Sequence, residues 1–380
     1  MSNPPFGLGM VGVGGFGRFC LQALQRLPEL RLIAVSDVNP AAARAVAQQL
    51  GVRACSFDDL LNDPAIDVIH LTTPPAAHAA QAIAALKAGK HVFCEKPLAT
   101  TAEDAHAMLR AAATHHRRLG VDYVLRYHPL WQVALALVRS GLFGRAVRWH
   151  QENLASDQRL PREHWFWDRS VSGGIFVEHA VHFFDLCNQL TPAPATQVMA
   201  QSACRPDGAQ DRVLALVRYA DGLLATFYHS FDRPDVLERS TVRIGLEQGS
   251  IELYGWIPER LQVEGLLDAQ RLSEVQHLLD TPLELVDPAT LPVIAFDGAR
   301  PSTSHLLVRA TLTRAERMDD YRAAIAAGMR DFLRALGDAT HRPLVSAGDG
   351  WRSLQVALAA THAADIGMSI SLPSEENLHE

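Results

Sequence analysis

The chain has 380 residues, 48% hydrophobic and 20% charged, a composition typical of a folded globular protein long enough for two domains. Its net charge is −7 and it has no basic block, which argues against nucleic acid or an anionic membrane as a partner. The five cysteines are dispersed and form no CxxC pair, so neither a disulfide framework nor a zinc site is indicated. No apolar run approaches the ~20 residues that span a bilayer, and we expect a cytoplasmic protein that binds a small molecule.

The first third of the chain alternates short apolar runs with alanine-rich helical stretches. The runs that predict strands are "FGLGMVGV", "LRLIAVSD", "IDVIHLT" and "GKHVFCE". Helices are predicted between them, near 17–27, 40–50, 76–88 and 101–116. Because these strands are continuously apolar, we predict a doubly wound parallel α/β sheet of the Rossmann type, in a domain spanning residues 1–123.

The remainder, residues 124–380, has a different pattern and predicts a second domain. A helix around 130–140 and the stretch "GRAVRWHQENL" are followed by strand-like runs at 195–204, 211–219, 222–231, 240–246 and 250–255. Strands that follow one another without helices predict an α+β domain with an open, mostly antiparallel sheet. We predict loops or an insertion for 265–305, which has no clear period, and helices at about 318–336 and 348–366 before a short strand in "MSISL".

A glycine-rich turn lies between the first strand and the first helix, in "GMVGVGGFGRFCLQAL". Gly12 allows a tight turn, Gly14 lets the backbone approach a pyrophosphate, and Gly17 lets the helix pack on the strand. Gly15 and Phe16 lie within the turn, at the helix N-terminus that would face the phosphates. The motif predicts a dinucleotide site.

Asp37 ends the second strand, where a carboxylate can accept hydrogen bonds from both hydroxyls of an adenosine ribose. The same charge would repel a 2′-phosphate, and neither Arg nor Lys follows directly in "SDVNP". The sequence therefore predicts NAD as the cofactor, with NADP disfavoured.

Two further strand ends carry candidate cofactor-binding residues. They are Thr73, Pro74 and His78 in "LTTPPAAH", and Glu95 and Lys96 in "CEKPL". Ligands of open α/β sheets lie beyond the carboxyl ends of the strands, so these residues should border the cofactor. Lys96 follows a buried-looking strand at the edge where nicotinamide would lie, which favours a functional lysine over a surface charge.

The stretch "SGGIFVEHAVHFFDLC" predicts a buried helix with a narrow polar stripe. Glu178, His182 and Asp185 recur at spacings that place them on one helical face, which would line a pocket. His179 lies about 100° off this stripe, so we expect it to have a supporting or structural role.

These motifs together resemble the Gfo/Idh/MocA family, the relatives of glucose–fructose oxidoreductase and inositol dehydrogenase. The matching stretches are "VGVGGFG", "TPPAAH", "AGKHVFCEKPLA", "LRYHP" and "SGGIFVEHAVHFFD". The resemblance implies an N-terminal dinucleotide-binding domain and a C-terminal α/β domain with an open sheet. It also implies a homodimer or homotetramer formed through that sheet.

The resemblance implies roles for individual residues. Lys96 would contact substrate and nicotinamide, His182 would be the acid/base, and Glu178 would orient or tune the pair. The bond between Lys96 and Pro97 is often cis in the family. Departures from the family's pattern are Glu178 for its Asp, Ser172 for its first glycine, Pro75 for Asn and Val124 for a frequent Asn.

Four residues are candidates for the substrate side of the site. Arg126 and Tyr127 open the second domain, and Trp165 offers a flat apolar face on which a ring can stack. Asp185 completes the set, as a group that could also hold the helix or fix a histidine tautomer. No metal is expected, although His179, His182 and Asp185 have ligand-like spacing, because hydride transfer to nicotinamide does not need one.

The sequence therefore predicts an NAD-dependent oxidoreductase acting on a sugar, polyol or inositol-like cyclic alcohol, with Lys96 and His182 stabilising the oxyanion and transferring the proton. Two alternatives remain open. The first is a dehydrogenase of dihydrodiols or other aromatic compounds, suggested by Trp165 and Trp167. The second is a non-catalytic NAD-sensing regulatory protein, against which the presence of both Lys96 and His182 argues.

Overall fold

The computed structural model describes residues 4–286 and 305–373, and their strands form two sheets. The strands of the first sheet are β1 (Phe6–Val11), β2 (Leu30–Ser36), β3 (Arg53–Ala54), β4 (Val68–Leu71), β5 (His91–Glu95) and β6 (Leu119–Asp122). The accompanying helices are α1 (Gly15–Leu24), α2 (Pro40–Leu50), α3 (Phe57–Asn62), α4 (His78–Lys87) and α5 (Ala102–Thr114). All pairings are parallel, in the order β3-β2-β1-β4-β5-β6, which confirms the predicted Rossmann sheet.

Burial in this sheet follows from its helix-covered faces. All four residues of β4 are buried, as are Leu8, Met10 and Val11 of β1, which is why these strands read as continuously apolar. The sequence analysis misses β3 and α3. β3 has two residues and shows no period, while α3 is short and is marked mainly by the capping box of Ser56 and Asp59.

The rest of the chain forms the second sheet and its helices. The strands are β7 (Ala146–Ser156), β8 (Ala195–Cys204), β9 (Gln210–Tyr219), β10 (Leu224–Arg233), β11 (Arg239–Leu246), β12 (Gly249–Tyr254), β13 (Arg260–Asp268), β14 (Glu284–Val286), β15 (His305–Thr313) and β16 (Ile370–Ser371). The helices are α6 (Pro129–Ser140), α7 (Arg169–Ser172), α8 (Val181–Leu190), α9 (Leu272–Leu279), α10 (Arg317–Gly337) and α11 (Ala347–Ile366). The order is β14-β15-β13-β12-β11-β7-β10-β9-β8-β16, and the pairings are antiparallel except β7 with β10, which confirms the predicted mostly antiparallel sheet.

The prediction of loops for residues 265–305 is wrong over much of its length. β13 extends to Asp268, and α9 and β14 follow it. The apolar side chains Leu261, Val263 and Leu267 of β13 are buried in alternation, a strand signal that Gly265 interrupts. Residues 287–304 lie outside the described part of the chain.

Helices cover one face of the second sheet, and two of them reach the first domain. α6, α8 and α11 pack on the sheet, whereas α10 packs on α1 and α11 also contacts α5. The opposite face exposes Met199, Leu214, Leu216 and Leu224, on the sheet that the resemblance places at an oligomer contact. Among the described residues, no helix combines the length and the apolarity needed to cross a membrane.

Candidate active site

A cavity of about 1110 Å³ lies beyond the carboxyl ends of β1, β2, β4 and β5. Both parts of the chain contribute to its wall. The first does so through the glycine turn and the strand ends, and the second through Val124, residues of the segment 164–182 and two later positions. The cavity is therefore at the edge of the parallel sheet where open α/β sheets bind ligands.

The glycine turn has the geometry that a close phosphate contact requires. Gly12 has a φ of +90°, and a Cβ added at Gly17 would lie 2.3 Å from the carbonyl oxygen of Gly12. Around Gly14 and Gly15, by contrast, a Cβ would meet no atom within 4 Å, and both residues line the cavity together with Phe16. The first turn of α1 carries no acidic side chain, so its N-terminal N–H groups can attract an anion. These features fit a pyrophosphate.

Asp37 joins the end of β2 to this turn. Its Oδ2 accepts a hydrogen bond from the Val13 N–H at 2.8 Å, and its Oδ1 accepts one from the Asn39 N–H at 2.8 Å. Asp37 also lines the cavity, so lone pairs of the carboxylate remain available to ribose hydroxyls. Arg44, on α2, borders the same end of the cavity, a cation that the reading of "SDVNP" did not consider.

His78 does not reach the cavity, contrary to the sequence-based expectation. Its Nδ1 lies 2.8 Å from the carbonyl oxygen of Pro97 and its Nε2 lies 2.9 Å from that of Thr73. The ring is buried, and burial lowers its pKa below the usual value. His78 instead connects the loop after β4, where Thr73 and Pro74 line the cavity, to the loop after β5. The Lys96–Pro97 bond in that second loop is cis, as the resemblance implies.

Lys96 makes the central polar contact of the cavity. Its Nζ donates to the Glu178 carboxylate at 2.7 Å and to the Glu178 main-chain oxygen at 2.7 Å. Only 13% of the lysine side chain and 12% of the glutamate side chain are exposed. The pair thus joins the two domains inside a largely desolvated site, and the lysine's positive charge is balanced locally.

The segment that carries Glu178 is not one regular helix. Residues Phe176–Ala180 form a π-helical turn, and α8 begins only at Val181. A π turn has wider hydrogen-bond spacing than an α-helix and often occurs at functional sites, so α-helical angles do not apply across it. As a result Glu178 and His182 line the cavity, and so does His179, which the sequence analysis placed off the pocket.

Both histidines of the wall are held neutral by their surroundings. Burial, and next the positive charge of Lys96, lower the pKa of His179 to about 3 and that of His182 well below its usual value. The Trp256 ring packs against them, with centroid distances of 5.1 Å to His179 and 4.7 Å to His182. His182 is therefore a neutral imidazole, which has one ring nitrogen without a proton.

Arg126 and Asp185 were expected beside the substrate, but they bind each other outside the cavity wall. The Nε and Nη2 atoms of Arg126 donate to the two Asp185 oxygens, each at 2.7 Å, and Nη2 also donates to Asp349 at 3.1 Å. Burial, only partly opposed by Arg126, raises the pKa of Asp185 to about 6. Tyr127 is likewise engaged elsewhere, because its hydroxyl donates to Asp331 at 2.8 Å. These three residues therefore hold the scaffold in place.

The aromatic part of the wall was only partly predictable. Trp165 lines the cavity, as does its neighbour His164, while the Trp167 indole N–H donates to the Leu160 carbonyl at 3.1 Å outside it. Trp256 follows β12 and Tyr321 lies on α10, and both also line the cavity. These two belong to segments far along the chain that carry no motif, so nothing in the sequence marked them.

Comparison with known proteins identifies the family. Residues 6–123 match the oxidoreductase family with an NAD-binding Rossmann fold, and residues 131–252 match the GFO/IDH/MocA C-terminal domain. The chain belongs to the Gfo/Idh/MocA family. It is therefore an NAD-binding oxidoreductase, and the reading as a non-catalytic regulator is set aside.

Relatives with named activities are distant in sequence. Myo-inositol 2-dehydrogenase of Thermotoga maritima is 26% identical over 59% of this chain and 68% of its own. Among solved structures, levoglucosan dehydrogenase in complex with NADH and L-sorbose has a TM-score of 0.78 at 20% identity, covering 97% of this chain and 99% of its own. The WlbA dehydrogenase of Bordetella pertussis, in complex with NADH and UDP-GlcNAcA, has a TM-score of 0.79 at 23% identity, covering 99% and 100%. Their substrates differ, so the substrate of this chain must be argued from its own cavity.

The buried pair gives a test of its structural role. We expect Arg126→Met to lower the free energy of unfolding by about 3–5 kcal/mol, because Asp185 would be left buried without its cation. The double variant Arg126→Met/Asp185→Leu should recover most of this loss, as measured by urea denaturation. The control is Arg169→Met, which breaks the half-exposed pair with Asp365 and should cost less than about 1 kcal/mol. If Arg126→Met instead left stability unchanged and raised KM, Arg126 would be a substrate-binding residue.

Proposed function

We propose that the protein is an NAD-dependent dehydrogenase or reductase of a neutral cyclic polyol or sugar. The observation that carries this proposal is the convergence of Lys96, Glu178 and His182 in one wall of the cavity, next to the strand ends that border a dinucleotide. Lys96 offers a positive hydrogen-bond donor and His182 a neutral base, the two functions that oxidation of an alcohol requires of the protein.

NAD supplies the redox chemistry of such a reaction, by accepting the carbon-bound hydrogen of the alcohol as hydride. In the proposed mechanism His182 takes the hydroxyl proton as that hydrogen leaves. Lys96 donates a hydrogen bond to the same oxygen and stabilises its developing negative charge. Glu178 fixes the lysine through the 2.7 Å ion pair. In the reductive direction His182 returns the proton to the carbonyl oxygen.

The charges of the cavity favour a neutral substrate. Among the described residues of the wall, the cations are Arg44, at the end bordered by Asp37, and Lys96, which is paired with Glu178. At the substrate end of the described wall, Lys96 is the cation and it is already paired, which disfavours a substrate with a phosphate or carboxylate, such as the nucleotide sugar of the WlbA structure. Hydroxyl groups, in contrast, find imidazole, carboxylate and ammonium partners there.

Aromatic residues of the wall suit a ring-shaped substrate. Trp165, Trp256 and His164 present flat apolar faces, on which the C–H face of a sugar or cyclitol can stack. The same faces would also accept a dihydrodiol, which is the second candidate. A panel of neutral polyols, sugars and dihydrodiols assayed with NAD separates the two.

Lys96 provides the direct test of the mechanism. Lys96→Met should lower kcat by at least about a hundredfold, because the developing alkoxide loses its positive hydrogen-bond donor. NAD affinity should change only a few-fold, as measured by fluorescence titration. Lys87→Met removes an exposed lysine at the end of α4 and is the control. A Lys96→Met enzyme within tenfold of wild-type kcat would exclude the assigned role.

Asp37 gives a prediction about cofactor choice. In Asp37→Ser we expect the ratio of kcat/KM for NADP to that for NAD to rise at least about tenfold, because the carboxylate no longer repels the 2′-phosphate. Arg44 should bind the 2′-phosphate and so account for part of this rise. The double variant Asp37→Ser/Arg44→Ala should therefore show a smaller rise in the ratio. An unchanged ratio in Asp37→Ser would show that Asp37 does not contact the ribose.

The two neighbouring tryptophans form a matched pair. Trp165→Ala should raise the KM for the substrate about tenfold with little change in kcat, because stacking contributes to ground-state binding. Trp167→Ala removes a ring of the same size outside the cavity and should leave KM within about twofold, provided that the fold is intact by circular dichroism. Equal effects of both changes would count against stacking on Trp165.

A further inference from the structure

A cluster of buried polar side chains behind Lys96 has no role in the mechanism above. It consists of Cys20 on α1, His70 on β4, Glu95 at the end of β5 and Asp122 at the end of β6, and each is at most 6% exposed. The Cys20 Sγ lies 3.7 Å from Glu95 Oε1, and the His70 Nε2 lies 3.9 Å from the same oxygen. Glu95 and Asp122 are register partners on adjacent parallel strands, so their carboxyl groups leave the sheet side by side.

The two carboxyl groups have no cation of their own among the described residues. The nearest positive charge, Lys96, is hydrogen-bonded to Glu178. Neither His70 nitrogen has a hydrogen-bond partner, and burial lowers the His70 pKa to about 4, so the ring is neutral at pH 7. Both Asp122 oxygens are buried, and neither accepts a hydrogen bond from a described residue.

At least one of the two carboxyl groups must therefore be protonated near neutral pH. Two adjacent carboxylates that are buried without a cation cannot both ionise near neutral pH, as in other buried carboxyl dyads. Burial raises the pKa of Glu95 to about 7, and burial together with the charge of Glu95 raises that of Asp122 well above its usual value. The pair therefore holds two protons at low pH, loses one of them as the pH rises through the neutral region, and keeps the other.

The position of the pair links that proton to the cofactor. Glu95 lines the floor of the cavity and directly precedes Lys96, at the strand end where nicotinamide is expected. The nicotinamide ring is positively charged when oxidised and neutral when reduced, so a nearby anion would stabilise the oxidised form relative to the reduced one.

We propose that Glu95 and Asp122 are positioning residues that share one exchangeable proton, released when the oxidised cofactor binds and retained when the reduced cofactor binds. The proton passes to solvent, and no bond other than the O–H bond changes. By linkage, raising the pH must then favour the oxidised cofactor over the reduced one. This inference rests on the placement of nicotinamide near Lys96, but it requires no turnover.

Five other titratable groups near the pair have pKa values that their surroundings move away from the neutral range. The pKa of Cys20 is raised well above its usual value, mainly by burial, and so is that of Tyr321 on α10. Burial and Asp331 raise the pKa of Tyr127, while burial lowers those of His179 and His182 to well below neutrality. Lys96 and Glu178 face the pair from the cavity side.

The test measures the dissociation constants of NAD and NADH without substrate, between about pH 5.5 and pH 9. For the wild type we expect the ratio of the NADH constant to the NAD constant to rise at least about fivefold with pH, with its midpoint near the pKa of the pair. Glu95→Gln, which removes the carboxyl group that borders the cavity, should flatten the ratio to within about twofold. The exposed Asp58→Asn is the control and should behave as wild type. Failure of the catalytic proposal would leave these binding ratios unaffected.

Three outcomes would overturn the proposal. A flat ratio in the wild type is one, and an undiminished pH dependence in Glu95→Gln is another. If Glu95→Gln does not fold, difference infrared spectra of the wild type decide, because the protonated carboxyl band must weaken on NAD binding. The third outcome is a stoichiometric metal in the purified protein that Cys20→Ser removes, since Cys20, His70 and Glu95 have ligand atoms within 4.8 Å of one another.

Discussion

The ion pair between Lys96 and Glu178 is the contact on which the arrangement of the cavity depends. It joins the end of the fifth parallel strand to the π turn of the second domain, and the lysine binds both the carboxylate and the main-chain oxygen of the same residue. Because both side chains are largely desolvated, separating them would leave costly unpaired charges. The position of the lysine relative to the cofactor-side strand ends and that of the helix bearing His182 are therefore fixed together.

A second buried ion pair, between Arg126 and Asp185, anchors the helix that bears His182. Asp185 lies three residues after His182, but its carboxylate binds Arg126 and accepts a hydrogen bond from Ser353 of α11. The polar residues of this apolar segment thus divide into two sets, one that faces the cavity and one that anchors the helix. The π turn carries Glu178, whereas His182 and Asp185 both lie on α8, where His182 lines the cavity and Asp185 binds Arg126.

How far the sequence predicts this arrangement depends on the range of the interaction. The Rossmann strands, the glycine turn and Lys96 are encoded locally, by apolar runs and by motifs a few residues long, and their places follow from the topology. His78 and Arg126 belong to equally recognisable motifs, yet their side chains bind groups 19 and 59 residues away, respectively. Trp256 enters the wall only because β12 and its following turn pack above α8. Such placements are decided by tertiary packing, which residue spacing does not reveal.

The electrostatics of the cavity differ between its two ends. At the substrate end the lysine is neutralised by Glu178 and the histidines are uncharged, so the wall offers hydrogen bonds and flat rings with little net charge. At the floor, the buried carboxyl pair of Glu95 and Asp122 becomes negatively charged when its exchangeable proton leaves, adjacent to the place where the charge of the cofactor changes. A low-dielectric site amplifies both effects. Uncharged substrates and a charge-changing cofactor therefore meet different fields within one cavity, and Lys96 stands at the boundary between them.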